Sequence, residues 1–217
     1  HRDLHSFPTR RSSDLTSSLR QLTDLKGKRL GVKKGTSTHG GLLALLKAKG
    51  IATADLKLVE LDPDTMPTAL AAGSLDAFVA SEPTPSLAEQ QGARELTTLA
   101  GLGNSYPLLI VVKSATLQKR EADLQKFIRA LKRAEQFLVK HQSEAVAMLS
   151  KETGLTPQMT RRAMQRHSYR LQLDQLTISS LEQTAAFLLQ QKKIKQVPKF
   201  AEVADKRFIT NPKDTGK

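Results

Sequence analysis

Lys28-Arg29-Leu30-Gly31-Val32-Lys33-Lys34-Gly35-Thr36-Ser37-Thr38-His39-Gly40-Gly41-Leu42 decides the fold of this chain. A short apolar run ends in a Gly-Thr-Ser turn, after which apolar residues recur at helical spacing. Residues 28–33 read as a strand. Residues 38–49 read as a helix with Leu42, Leu45 and Leu46 on one face, and Gly50 supplies its stop. The same strand-then-helix unit recurs twice downstream. Residues 56–61 are the second predicted strand; Asp62 or Asp64 can cap a helix through Met66, Ala69 and Leu70 that stops at Gly73. Residues 76–80 are the third strand, and a helix after Pro85, with Leu87 and Ala88 inward, ends at Gly92. Residues 96–99 add a fourth strand. Strands alternating with helices of about ten residues predict a βαβ sheet.

Beyond Gly103 the pattern changes. Tyr106-Pro107-Leu108-Leu109-Ile110-Val111-Val112-Lys113 is the most apolar strand candidate of the chain. Helices follow. Residues 121–141 carry Leu124, Phe127, Ile128, Leu131, Ala134 and Leu138 as one stripe. Ser143 caps a shorter helix with Val146 and Leu149 inward, stopped near Gly154. Thr156-Pro157 opens another helix, reaching about His167. Residues 176–191 form a long amphipathic helix with Ile178, Leu181, Ala185 and Leu188 inward, and the tail from Asn211 is polar and frayed.

The opening run His1-Arg2-Asp3-Leu4-His5-Ser6-Phe7-Pro8-Thr9-Arg10-Arg11-Ser12-Ser13-Asp14-Leu15 has neither a helical nor a strand period. It matches the translation of a common short-read sequencing adaptor. Residues 1–15 are therefore expected to be non-native and disordered, with the native chain starting at or after Thr16 and any signal peptide out of view. The expected organisation is then an α/β lobe over 16–105 and a helix-rich part over 106–217.

The formal charge is +13, and the opening run supplies only +1 of it (three arginines against two aspartates). A basic chain raises anionic partners. Lys and Arg are scattered over many segments, and there are two tyrosines and no tryptophan, so stacking platforms for nucleic acid are poor. No cysteine is present, which excludes disulfides and thiolate metal sites. His141 and His167 lack acidic neighbours at metal spacing, so no metal and no cofactor is expected. Gly40-Gly41-Leu42 lacks the lysine and hydroxyl of a phosphate loop. No Gly-x-Ser-x-Gly elbow occurs, and no catalytic residue is assigned.

The candidate site is the turn Gly35, Thr36, Ser37 and Thr38. It leaves a strand and opens a helix, where unpaired backbone N–H groups and the helix dipole favour an anion. Plain N-capping by Ser37 or Thr38 is the competing reading. His39 could donate to the same anion. Glu82, in Ser81-Glu82-Pro83, ends the third strand, and ligands gather at the carboxyl ends of strands in open α/β sheets. It could accept from an amine or hydroxyl of the ligand, or be a solvated loop acid.

The order of motifs resembles a known family. Asp24-Leu25-Lys26-Gly27-Lys28-Arg29-Leu30-Gly31-Val32 is followed by Gly35-Thr36-Ser37, Gly50, Leu61-Asp62-Pro63-Asp64, Ala69-Leu70-Ala71-Ala72-Gly73-Ser74-Leu75-Asp76-Ala77-Phe78, Glu82-Pro83 and Gly92. This resembles the solute-binding proteins of ABC importers for nitrate, aliphatic sulfonates, taurine and thiamine-precursor pyrimidines, over about residues 22–211. The resemblance implies a periplasmic-binding-protein type II-like fold of two α/β lobes that is incomplete here. The α/β lobe would be the second lobe, and the helix-rich part the hinge return and remainder of the first. It also implies that the Thr36–Thr38 turn and the Glu82 loop face an interlobe cleft. Further implications are a non-enzymatic monomer, periplasmic or extracellular and membrane-anchored, with a small and anionic ligand. Its partner is an ABC permease with its ATPase, and contact with the membrane comes only through that permease or a missing N-terminal anchor. The neighbours of Glu82, Ser81 and Thr84, depart from the aromatic residues many sulfonate-type members carry there. The alternative is the effector domain of a LysR-like transcription regulator. A pyrimidine-precursor synthase on the same scaffold and a nucleic-acid-binding protein are more distant readings.

Overall fold

A computed structural model describes residues 5–9 and 19–209. They fall into two compact units, one formed by 5–9 and 19–103 with 147–167 and the other by 104–146 with 168–209. The first break lies two residues before the expected boundary at 105. The expected continuous block 106–217 is interrupted, because residues 147–167 return to the first unit.

The first unit is built on a mixed sheet. Its strands are β1 (His5–Thr9), β2 (Arg29–Val32), β3 (Lys57–Glu60), β4 (Ala77–Phe78), β5 (Ala80–Ser81) and β6 (Arg94–Thr98). The order is β3-β2-β4-β1-β5, with β6 paired to β1. β2 runs parallel to β3, Leu30 opposite Leu58, and parallel to β4, Leu30 opposite Ala77. β1 runs antiparallel to β4, β5 and β6. Five residues of the run expected to be disordered, 5–9, stand as this strand. Their backbone pairs with the ladder groups of three neighbouring strands, which a strand needs whatever its side-chain pattern. The foreign origin of the run stays an expectation of the sequence.

Each crossover follows from its residues. Helix α1 (Ser37–Ala48) starts where the extended N-cap Thr36 takes the N–H of His39 on its hydroxyl. It ends where Gly50 turns to φ +65°, a region costly for residues with a Cβ. Its apolar stripe, Leu42, Leu45 and Leu46, is buried. Helix α2 (Met66–Ala71) buries Met66 and Leu70 against Leu75, Phe78 and Ala88, the last from α3 (Thr84–Gln90). Asp62 occupies the N-cap position of the 3-10 turn Pro63–Thr65 that runs into α2, but its side chain makes no cap bond and pairs with Lys33 at 2.7 Å. Gly31 lies so close to Leu75 and Phe78 that a Cβ there would stand 2.6 Å from Leu75 Cδ1 and 3.1 Å from Phe78 Cβ. Helix α7 (Pro157–Gln165), capped by Thr156, packs back on α3.

The second unit contains α4 (Ser114–Lys119), α5 (Glu121–Lys140), the start of α6 (Gln142–Thr153), α8 (Gln175–Gln190) and α9 (Phe200–Val203). Polar contacts organise it. Ser180, fully buried, accepts the N–H of Ser105 at 2.9 Å, while Asn104 donates to the Ser180 carbonyl at 3.1 Å. Asp174, not a residue of the expected 176–191 stretch, caps α8 through the N–H of Thr177 at 2.8 Å. The apolar elements differ from expectation. Residues 106–113 form no strand; Leu108 is 90 % exposed and Val111 86 %. The α5 stripe exists, but no residue of α5 is buried. Without a neighbouring strand or a facing apolar layer, neither pattern is satisfied among the described residues. The polar tail from Asn211 lies outside the described residues.

Candidate functional site

The Thr36–Thr38 turn closes the carboxyl end of β2, and Ser81-Glu82 closes that of β5. The two meet through hydroxyls, Thr38 Oγ1 standing 3.4 Å from Ser81 Oγ. Thr38 is buried. The expected juxtaposition of the turn with the third-strand end is therefore present, carried by Ser81 rather than by Glu82.

The candidate residues divide into those that build the turn and those that leave polar groups at it. Thr36 belongs to the first kind. Its hydroxyl donates to the Lys33 carbonyl at 2.7 Å and accepts from His39 N–H at 3.2 Å. Gly35 also belongs there: its N–H donates to His39 Nδ1 at 3.2 Å. His39 is buried, and burial followed by the positive charge of Lys34 pushes its pKa below the usual histidine value, with Glu60 opposing. Its Nδ1 is an acceptor, so the ring is neutral with its proton on Nε2. Histidine therefore locks the turn through Nδ1 instead of offering that nitrogen to an anion.

Ser37 is of the second kind. Half-buried at the first helical position, it makes no hydrogen bond with its hydroxyl or N–H among the described residues. Beside it, Lys34 is exposed, while Lys33 is neutralised by Asp62. The local field at the turn is positive, from Lys34 and from the helix dipole together.

Glu82 is not a solvated loop acid. Its side chain is 5 % exposed, accepts the Ser86 N–H of α3 at 3.3 Å, and faces Arg166 Nη1 at 3.4 Å. It is spent on α3 and α7, away from a ligand acceptor role. Arg166 also pairs with Glu95 at 2.6 Å, and Arg162 with Glu89 at 3.0 Å. Sequence reasoning missed this group. The one signal was the i, i+4 spacing of Arg162 and Arg166 on a short helix, which marks a common face. No three His, Cys, Asp or Glu side chains gather at metal-binding distance among the described residues. None of the described helices is long and apolar enough to cross a membrane.

The NMT1/THI5 like family profile matches residues 3–145, a span that contains both the turn and the Ser81-Glu82 step. An Escherichia coli (strain K12) protein named for binding aliphatic sulfonates is 27 % identical over 143 residues, covering 64 % of this chain and 44 % of that protein. A Brucella abortus (strain 2308) protein named as a binding protein is 24 % identical over 136 residues, covering 61 % of this chain and 43 % of its own length. The chain thus spans less than half the length of these curated relatives. Among solved structures, the alkanesulfonate-binding protein SsuA of Xanthomonas axonopodis pv. citri bound to MOPS superposes with a TM-score of 0.73 at 25 % identity. It covers 94 % of this chain and 68 % of that one. The periplasmic aliphatic sulphonate binding protein SsuA of E. coli gives 0.74 at 20 % identity, with 92 % and 64 % covered. The desulfurization enzyme DSZB gives 0.72 at 18 % identity, with 95 % and 75 % covered, a likeness of fold. The two-lobe binding-protein fold, partly covered, is therefore the architecture of this chain.

Proposed function

Since the chain belongs to the NMT1/THI5-like family, we propose that it is the solute-binding component of an ABC importer for a small anion of the sulfonate, nitrate or taurine class. The observation that carries this reading is the family match across both loops of the site, together with relatives named for sulfonate binding. In this reading the anion sits at the N-terminus of α1. It takes the Ser37 N–H and hydroxyl, groups of Thr38 and Ser81, and the field of Lys34. Gly35, Thr36 and His39 shape the turn, and Glu82 holds the loop.

Capture needs no bond to be made or broken. A ligand that touches both lobes only in a closed form stabilises that form by its differential affinity, and a permease with its ATPase distinguishes the closed form from the open one. The protein works as a monomer in the periplasm, or outside the cell on an anchor. The regulator reading is not favoured, because the relatives carry binding-protein names.

The test is the genomic sequence upstream of Thr16, followed by a thermal-shift panel on the protein. A signal peptide with a further βαβ segment, and melting raised by ethanesulfonate, taurine or nitrate, supports the proposal. An upstream helix-turn-helix, or melting raised only by neutral or cationic solutes, overturns it.

A further inference from the structure

We propose that Glu82, Glu89 and Glu95, facing Arg162 and Arg166, form a latch that fastens residues 147–167 to the α/β unit and tightens when one proton is taken up at Glu89. The latch does not depend on which solute is bound.

The geometry is a five-membered ion cluster. Arg166 Nη1 lies 2.6 Å from Glu95 and 3.4 Å from Glu82; Arg162 lies 3.0 Å from Glu89 and 3.9 Å from Glu95. The acids come from the β5–α3 step, from α3 and from β6; of the cations, Arg162 lies in α7 and Arg166 is its C-cap residue. Three carboxylates face two guanidinium groups, so one negative charge is in excess. The Glu82 and Glu89 side chains are 5 % and 9 % exposed, which removes most of the water that would stabilise that excess. Glu89 Oε2 and Glu95 Oε2 stand within ion-pair distance of a guanidinium nitrogen, yet neither accepts a directed hydrogen bond among the described residues. A buried carboxylate oxygen without a hydrogen bond is the least stabilised place for charge.

Glu89 is where the proton goes. Burial, the largest effect, pushes its pKa up; Arg162 and Arg166 lower it, while Glu95 and Glu82 raise it. Of the other elements against α3, α2 carries no charged residue, and His5 is the one titratable residue of β1. With the folded pKa raised, the ionised form penalises the docked state at high pH. That penalty is relieved as pH falls through the folded value. Protonation leaves two carboxylates for two guanidinium groups. The latch joins the rim of the candidate site, through Glu82 beside Ser81, to Arg166, which precedes the chain's last passage between units at 167/168.

Hydrogen exchange of the α7 amides, corrected for intrinsic rates, tests the latch in the full chain between pH 7.5 and a pH below the Glu89 midpoint. Protection in the parent is expected to rise several-fold as pH falls. Glu89→Gln is expected to be protected at pH 7.5 as the parent is below the Glu89 midpoint, with no slope. Lower protection in Glu89→Gln, or an unchanged slope, overturns the proposal. Carbon-13 titration of the Glu89 carboxyl in the parent is a second readout. A midpoint above the ordinary glutamate value of about 4.3 is expected, and one at or below it overturns the proposal.

Discussion

Thr38 Oγ1 and Ser81 Oγ, forty-three residues apart in sequence, stand 3.4 Å from each other across the carboxyl ends of β2 and β5. Parallel pairing of β2 with β4 sets this distance, because Leu30 opposite Ala77 places the two strand exits side by side. A hydroxyl from each loop then borders the same helix N-terminus.

Arg29 and Asp76 tie the strands that carry those loops. The guanidinium donates through Nε to one carboxylate oxygen at 3.1 Å and through Nη2 to the other at 3.0 Å, and the Arg29 N–H adds a bond of 2.8 Å. The Arg29 side-chain bond, with the backbone bond and charge behind it, holds the Asp76 pKa below its usual value, against burial. A depressed carboxylate stabilises above its unfolded pKa, so this contribution is lost as pH falls from about 4 through the folded value. Asp76→Asn is expected to cost about 1 kcal/mol at pH 7, a figure kept low because the pair is half-exposed and screened. Urea unfolding at pH 7 and pH 3 checks it; an equal cost at both values contradicts the assignment.

His39 titrates with the same sign. Its folded pKa is depressed by burial and by Lys34, so the neutral ring stabilises the turn above the unfolded value of about 6.5. That contribution is lost as pH falls through the lower folded pKa. Ring-proton NMR should place the His39 midpoint below that of an exposed histidine. A midpoint above 6.5 would mean that the ring has an anionic partner instead.

Gly31 has no room for a side chain. Gly31→Ala forces Leu75 and Phe78 aside and is expected to destabilise by about 1–3 kcal/mol, measured by denaturant unfolding. A neutral result would mean that Leu75 and Phe78 stand farther from Gly31 than the 2.6 and 3.1 Å at which an added Cβ would meet them.

The exposed apolar run 108–111 is expected to make the chain prone to self-association. Leu108 and Val111 give up little packing when changed, since each is more than four-fifths exposed. Leu108→Lys with Val111→Lys is expected to lower aggregation in light scattering without moving Tm. A lowered Tm would show that the run is packed in solution.

Much of the first unit was legible in the sequence. The strands at 29–32 and 57–60, the helix after Thr36 and the stops at Gly50, Gly73 and Gly92 follow local rules of periodicity and φ. The roles inside the site were not legible, because they depend on long-range partners. Glu82 read as a free acid until Arg166, eighty-four residues on, was placed beside it. His39 read as a donor without saying from which nitrogen, and the Gly35 N–H on Nδ1 leaves that role to Nε2–H. The run 106–113 read as a strand because its composition suits one; a strand also requires a ladder partner, and composition cannot supply it.

Calorimetric titration of ethanesulfonate into the protein tests the central claim most directly, with Ser37→Ala and Thr38→Val alongside. The expected result is saturable one-to-one binding, weakened about ten-fold or more in each variant as a hydrogen bond to a charged group is lost, about 1.5–3 kcal/mol. Absence of heat with ethanesulfonate, taurine and nitrate alike, or binding that ignores both substitutions, would contradict a sulfonate-type anion at the α1 N-terminus.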